Sequence, residues 1–218
     1  MLTETWTRDG IDPTVGQFLH TLSGFNILHQ PRKFRRGGGV GLLVRTNLSA
    51  KKRCMNFKSF QYLEVAIRAR SQLFNVFVIY RPPYSSKNQW TVDTFLSEFR
   101  SLLEVSISRP GFLLIGGDFN FHCESSSPDV LKLMDLIASF DLCQHVKEST
   151  HDKGHMLDLI LTRASDDIIR TINISSGLPS DHSEIIVNLS VTRPPVTKKT
   201  IKRRNLVNLD TESFRTVL

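Results

Sequence analysis

Cysteine is scarce in this sequence of 218 residues, and Cys54, Cys123 and Cys143 are odd in number and scattered. That excludes a disulfide frame and reads as the reduced thiols of an intracellular protein. No apolar run approaches the roughly 20 residues that a membrane-spanning helix requires. The opening Met1-Leu-Thr-Glu-Thr-Trp6 lacks the basic start and apolar core of a secretory leader. The glycine-rich Arg35-Arg-Gly-Gly-Gly39 has no Gly-Lys-Ser/Thr ending and feeds an apolar run, Val40-Gly-Leu-Leu-Val44, not a helix, which excludes a P-loop. Internal repeats are absent as well.

What is present suits one large domain, or one domain with an appendage. Hydrophobic residues make up 40% of the chain, enough for a sizeable core. The net charge of +7 is unevenly placed. Residues 1–192 are nearly balanced, with basic clusters at 32–36 and 51–53, whereas residues 193–218 carry 7 basic and 2 acidic side chains. The domain is therefore expected over 1–192, and 193–218 reads as a basic linker and the start of a following segment. A basic tail fits a neighbouring polyanion as well as it fits a solvated linker.

Along the chain, residues 1–3 read as the end of a strand with Glu4 at its exit and Trp6 as packing. Residues 13–21 read as a short helix carrying Val15, Phe18 and Leu19. Leu63, Val65, Ile67 and Ala69 alternate with Glu64, Ala66, Arg68 and Arg70, the pattern of a half-exposed strand. Residues 73–80 are apolar almost throughout, as in a central strand covered on both faces, and Arg81-Pro82-Pro83 stops it after Tyr80. Val92, Phe95, Leu96, Phe99, Leu102 and Leu103 mark an amphipathic helix. Ser127-Pro128 starts another, with Val130, Leu133, Met134 and Ile137 as its buried stripe. Residues 157–162 and 185–191 read as further strands. Strands and helices alternate irregularly, which predicts an α/β fold of two packed mixed sheets with helices outside.

One stretch carries the chemistry. Residues 111–115 read as a short buried strand, and Gly116-Gly117 as a sharp turn after it. Asp118 and Asn120 follow at alternate positions, which on an extended backbone point the same way. That places a carboxylate and a carboxamide at the carboxyl end of a strand, where open α/β sheets hold their sites. Asp158 lies inside the apolar Leu157-Asp158-Leu159-Ile160, an expensive burial unless the carboxylate is paired, and His182 is its natural partner. The consecutive Ser180, Asp181 and His182 cannot form a hydrolase triad, whose members come from different elements. Cys143, His145, His151 and His155 cluster in sequence, but their spacing matches no standard zinc module, and they fit better as solvent-facing loop residues.

The set fits metal-assisted phosphodiester cleavage. A hard cation such as Mg²⁺, with Mn²⁺ as the alternative, takes oxygen ligands. Glu4 would supply one, and Asp181 another directly or through water. Asp118 would take the proton of an attacking water oriented by Asn120. His182, held by Asp158, would donate to a phosphate oxygen, and Tyr80 could add a hydrogen bond.

Thr3-Glu4-Thr5-Trp6, Tyr80-Arg-Pro-Pro83, Gly117-Asp118-Phe-Asn120, Leu157-Asp158 and Ser180-Asp181-His182 occur in the order seen in the endonuclease/exonuclease/phosphatase superfamily. Arg36-Gly-Gly-Gly-Val-Gly-Leu-Leu43, Tyr62-Leu-Glu64 and Thr150-His-Asp-Lys-Gly-His155 resemble its subgroup in non-LTR retrotransposons, as does the trailing Arg203-Arg-Asn-Leu. The resemblance implies a DNase I-like four-layer α/β sandwich that nicks DNA with Mg²⁺, lies beside a reverse transcriptase, needs no membrane and works in the nucleus. It matches Glu4 to the metal ligand, Tyr80 to the active-site tyrosine, Asp118 and Asn120 to the base and its partner, and Asp158 and His182 to the acid–imidazole pair. Asp181 matches the neighbouring acid, Thr150 a phosphate-contacting threonine, and Ser180 is carried with it as substrate-binding. Family members place another strand, bearing an asparagine, ahead of Glu4, so the first strand here is expected to lack a central neighbour. Two alternatives keep the fold: a catalytically impaired remnant that only binds nucleic acid, and a hydrolase of small phosphate esters.

Overall fold

The computed structural model describes residues 1–5, 23–31, 38–53, 55–85, 89–177 and 179–190. Trp6, the helix expected over 13–21, the basic cluster 32–36, Cys54 and the basic segment from 193 lie outside the described residues.

A six-stranded mixed sheet organises the molecule. Its strands are β4 (Ser49–Arg53), β5 (Gln61–Ala69), β6 (Gln72–Tyr80), β7 (Phe112–Asp118), β8 (Leu142–Gln144) and β9 (Asp158–Arg163), in the order β4-β5-β6-β7-β9-β8. Among the described residues of this sheet, only β6 and β7 run parallel. They are joined through α1 (Val92–Ser106), as a parallel pair requires a long crossover.

The near-continuous apolar run of β6 places it in the middle, buried on both faces. β5 departs from the half-exposed reading. Glu64 and Ala66, expected to face water, are both buried. Glu64 tolerates this because Arg53 (2.8 Å) and Arg109 (3.2 Å) bind its carboxylate.

One face of this sheet is covered by α1 and α2 (Pro128–Ser139). Each helix starts where its cap dictates. The Thr91 hydroxyl accepts from the Thr94 N–H (3.2 Å), and the Ser127 hydroxyl from the Val130 N–H (3.4 Å), with Pro128 in the first turn. The buried stripe of α1 is Phe95, Phe99, Leu102 and Leu103. Phe95 and Phe99 stack at 5.4 Å and both meet the edge of Phe119. Truncating either ring to Ala would cost about 3–5 kcal/mol.

The opposite face is covered by two smaller antiparallel sheets. β1 (Leu2–Thr3), β2 (Phe25–Gln30) and β3 (Val40–Arg45) pair in the order β1-β3-β2, and β10 (Ile169–Ser175) pairs with β11 (Glu184–Leu189). Val40, Leu42 and Val44 of β3 pack on β5 and β6. Ile172, Ile174, Ile185 and Val187 pack on Leu114 and Ile160. The architecture is an α/β sandwich, in which the second strand layer is divided into two pieces among the described residues. A groove of about 650 Å³ runs between them, lined by Met1, Leu2 and Thr3 on one side and Ile185, Val187 and Leu189 on the other.

Candidate active site

The register of the central strands builds the site. Tyr80, the last residue of β6, is opposite Asp118, the last of β7, and Asp118 is opposite Asp158, the first of β9. Three residues from distant parts of the chain thus form one row across neighbouring strands, at one end of the sheet. Residues opposite one another in a ladder project to the same face.

The local reason for Asp118 differs from the expected sharp turn at the glycine pair. Gly116 and Gly117 are both inside β7, and the strand runs on to Asp118. Gly117 has φ +139°, and a Cβ there would lie 2.0 Å from the Ile79 carbonyl oxygen, so no side chain fits. The turn comes at Asn120, with φ +50°. Its side chain and that of Asp118 do meet, but through this left-handed bend and not through extended alternation. The Asn120 N–H donates to Asp118 Oδ1 and its Nδ2 to Oδ2, both at 2.9 Å.

Asp118 is 3% exposed. Burial pushes its carboxyl up to about 7, and the neighbouring Asp158 and Glu4 charges push the same way, against the Asn120 N–H and His182. Asp158 has stronger partners. Its Oδ2 accepts from His182 Nδ1 (2.7 Å) and from the Thr150 hydroxyl (2.8 Å). The bond to Asp158 raises His182 to about 9, despite the opposing effect of burial.

Glu4 reaches the row from the exit of β1 and accepts a hydrogen bond from the Tyr80 hydroxyl. Glu4, Tyr80, Asp118, Asn120, Asp158 and His182 are therefore brought together. Asp181 is exposed and pairs with His151 Nε2 (3.3 Å) beside His182. Burial would raise its carboxyl, but its own backbone N–H, His151 and His182 outweigh that and hold it below the usual range. Ser180 is exposed, and its Oγ accepts from the His182 N–H (3.1 Å). Thr150 is fully buried. Its hydroxyl donates to Asp158 and accepts from the Leu157 (3.1 Å) and Asp158 (3.0 Å) N–H groups.

Two contributors escaped sequence reading. Arg81 is 7% exposed and stacks on Phe121 (4.3 Å) and Phe95 (5.3 Å). It donates to the carbonyls of Asn120 (2.9 Å) and Phe119 (3.3 Å), while its own carbonyl accepts from Asn120 Nδ2 (2.8 Å). The signal was its place directly after Tyr80 at the end of a buried strand. The second is His151, which bridges backbone to backbone with His182 and meets its ring edge-on at 5.1 Å. Cys143 and His145, close to His151 in sequence, do not join it: Cys143 is exposed on β8, and His145 bonds Thr162 (2.8 Å).

A model of the endonuclease-reverse transcriptase family matches residues 74–186, more than half of the chain. The chain belongs to the endonuclease-reverse transcriptase family. The match spans Tyr80 to His182 and leaves out Glu4. No curated protein matches. Among solved structures, this family member is similar to the endonuclease domain of TRAS1, a telomere-specific non-LTR retrotransposon. Identity is 16%, with 77% of this chain and 79% of that one covered, at a TM-score of 0.60. It is similar to D. rerio TDP2 complexed with a single-strand DNA product, with 13% identity, coverage of 87% and 84%, and a TM-score of 0.61. It is also similar to the mannosyl-6-phosphatase Bt3783 of Bacteroides thetaiotaomicron VPI-5482, at 12% identity, 87% and 84% coverage, and a TM-score of 0.59. The fold is the DNase I-like one of the endonuclease/exonuclease/phosphatase superfamily.

Proposed function

We propose that this family member is a Mg²⁺-dependent phosphodiesterase that nicks DNA. The carrying observation is the row itself. A buried carboxyl that titrates near neutrality stands beside a second carboxylate that holds an imidazole in its protonated form. A base and a charged hydrogen-bond donor with separated proton affinities are what hydrolysis of an anionic ester needs.

A divalent ion fits the residues present. Glu4, Asp118 and Asp158 put acidic charge at one end of the sheet, and besides burial the charges of Asp158 and Glu4 raise Asp118. Hard oxygen donors of this kind suit Mg²⁺, with Mn²⁺ as a substitute. Glu4 would hold the ion, with Asp181 as a further oxygen donor directly or through water. When bound, it would neutralise charge on the phosphate and on the leaving oxygen.

In this reading the Asp118 carboxylate accepts the proton of the attacking water as the water oxygen bonds to phosphorus. The two Asn120 donors aim that carboxylate. His182 uses Nδ1 on Asp158, which leaves Nε2 to donate to a phosphate oxygen as charge builds there. Tyr80 gives its one hydroxyl proton to Glu4 and so orients that metal ligand. Thr150 acts through Asp158, and Ser180 lies at the rim where substrate would enter.

DNA as the substrate is supported by membership of an endonuclease family and by two similar structures, one an endonuclease domain and one complexed with a DNA product. The test is nicking of supercoiled plasmid with Mg²⁺ and with EDTA, wild type against Asp118→Ala. Metal-dependent nicking lost in the variant supports the reading. Equal nicking by both proteins, or cleavage of sugar phosphates with intact plasmid, overturns it.

A further inference from the structure

Outside the catalytic row, two imidazoles and a carboxylate converge at the surface. His155 Nδ1 lies 2.8 Å and His122 Nδ1 3.4 Å from the same oxygen, Oε1 of Glu124. The three ligand atoms all lie within 4.8 Å of one another, and the two rings are 4.0 Å apart centre to centre. We propose that His122, Glu124 and His155 form a second metal site, for a dication of the zinc class and distinct from the oxygen-lined catalytic site.

The chemistry of the donors argues for this class. Imidazole nitrogen suits Zn²⁺, Co²⁺ and Ni²⁺ far better than Mg²⁺, which prefers oxygen throughout. Tetrahedral ligands about 2.0–2.1 Å from zinc lie about 3.4 Å from one another, so the spacings present need small side-chain adjustments only. The side chains of His122, Glu124 and His155 are 57%, 37% and 33% exposed, which leaves room for water to complete the shell. The ligands are also oriented from behind. Oε2 of Glu124 accepts from the Met156 N–H (2.9 Å), fixing the direction in which Oε1 points.

The position gives the site a role. His122 and Glu124 follow the loop of Asn120, whereas His155 belongs to the loop between Thr150 and Asp158. Backbone bonds from Cys123 N–H to Met156 (3.1 Å) and from Phe119 N–H to Leu157 (2.9 Å) already join these loops. An ion bound across them would clamp the segment that aims Asp118 to the segment that holds Asp158.

Co²⁺ titration of the full chain in excess Mg²⁺, followed by visible absorption and calorimetry, tests the site. One Co²⁺ per chain should bind with ligand-field bands of low coordination number, and Zn²⁺ should displace it. His122→Ala with His155→Ala should weaken binding by more than about tenfold, whereas His151→Ala should leave it in place. His122→Ala alone, at an exposed ring, serves if the double variant fails to fold, with the metal-free melting temperature as the control. Zn²⁺ should raise the melting temperature of the wild type and not of these variants. Unchanged Co²⁺ affinity in the folded variants, or loss in His151→Ala alone, overturns the proposal. None of these readouts depends on nuclease activity.

Discussion

Asp118 and Asp158 face each other across the antiparallel pairing of β7 with β9, and each is less than a tenth exposed. Two buried carboxylates so placed cannot both ionise freely. Their partners break the tie. Asp158 holds a charged imidazole and a hydroxyl, whereas Asp118 holds the neutral donors of Asn120. Asp118 therefore holds its proton up to about 7, and its ionised carboxylate has the proton affinity that the proposed base needs.

The pH profile of kcat/KM for plasmid nicking should be a bell. Its acid limb follows ionisation of Asp118 near 7 and its alkaline limb deprotonation of His182 near 9. Saturating Mg²⁺ should move the acid limb to lower pH, because a nearby cation favours the carboxylate. Asp118→Ala should lower kcat by about 10²–10⁴-fold. A profile flat from about pH 6 to about pH 9 would count against these assignments.

Folding stability should carry the same signature in two windows. Asp118 binds its proton more tightly folded than unfolded, so stability is lost as pH rises from the ordinary carboxyl range through about 7. His182 is also raised, so its contribution is complete below its unfolded value and is lost as pH rises through about 9. Metal-free urea melts across pH should show both declines. Asp118→Asn should erase the lower one and His182→Ala the upper one.

Glu4→Gln should raise the Mg²⁺ concentration for half-maximal nicking by at least about tenfold, because the variant keeps the shape and removes the charge. Mg²⁺ titration of the initial rate measures this. An unchanged Mg²⁺ requirement would remove Glu4 from the metal site.

Arg81→Met should keep most of the packing between Phe95 and Phe121 and lose the bonds to the Phe119 and Asn120 carbonyls. The expected cost is about 1–3 kcal/mol of stability, with kcat falling more than KM rises. Thermal melts and steady-state kinetics on an oligonucleotide check both halves.

Thr150→Val should destabilise by about 1–3 kcal/mol, since it leaves the buried Leu157 and Asp158 N–H groups without their acceptor. The His182 ring should lose its fixed orientation as Asp158 loosens, which NMR of the imidazole would detect.

The local elements were legible in the sequence because periodicity and caps are local. The apolar run of β6, the stripe of α1 and the Ser127-Pro128 start all appear as read. So were the polar residues at strand ends, since an apolar run tolerates a carboxylate only where the charge is paired or belongs to a site. Tertiary structure alone decided the rest. The burial of Glu64 depends on two arginines distant in sequence, and the edge strands β4, β8 and β10 carry too little periodicity to stand out. The raised proton affinity of Asp118 arises only from register and burial, which no single segment contains, because electrostatic coupling depends on distance in space and not on distance along the chain.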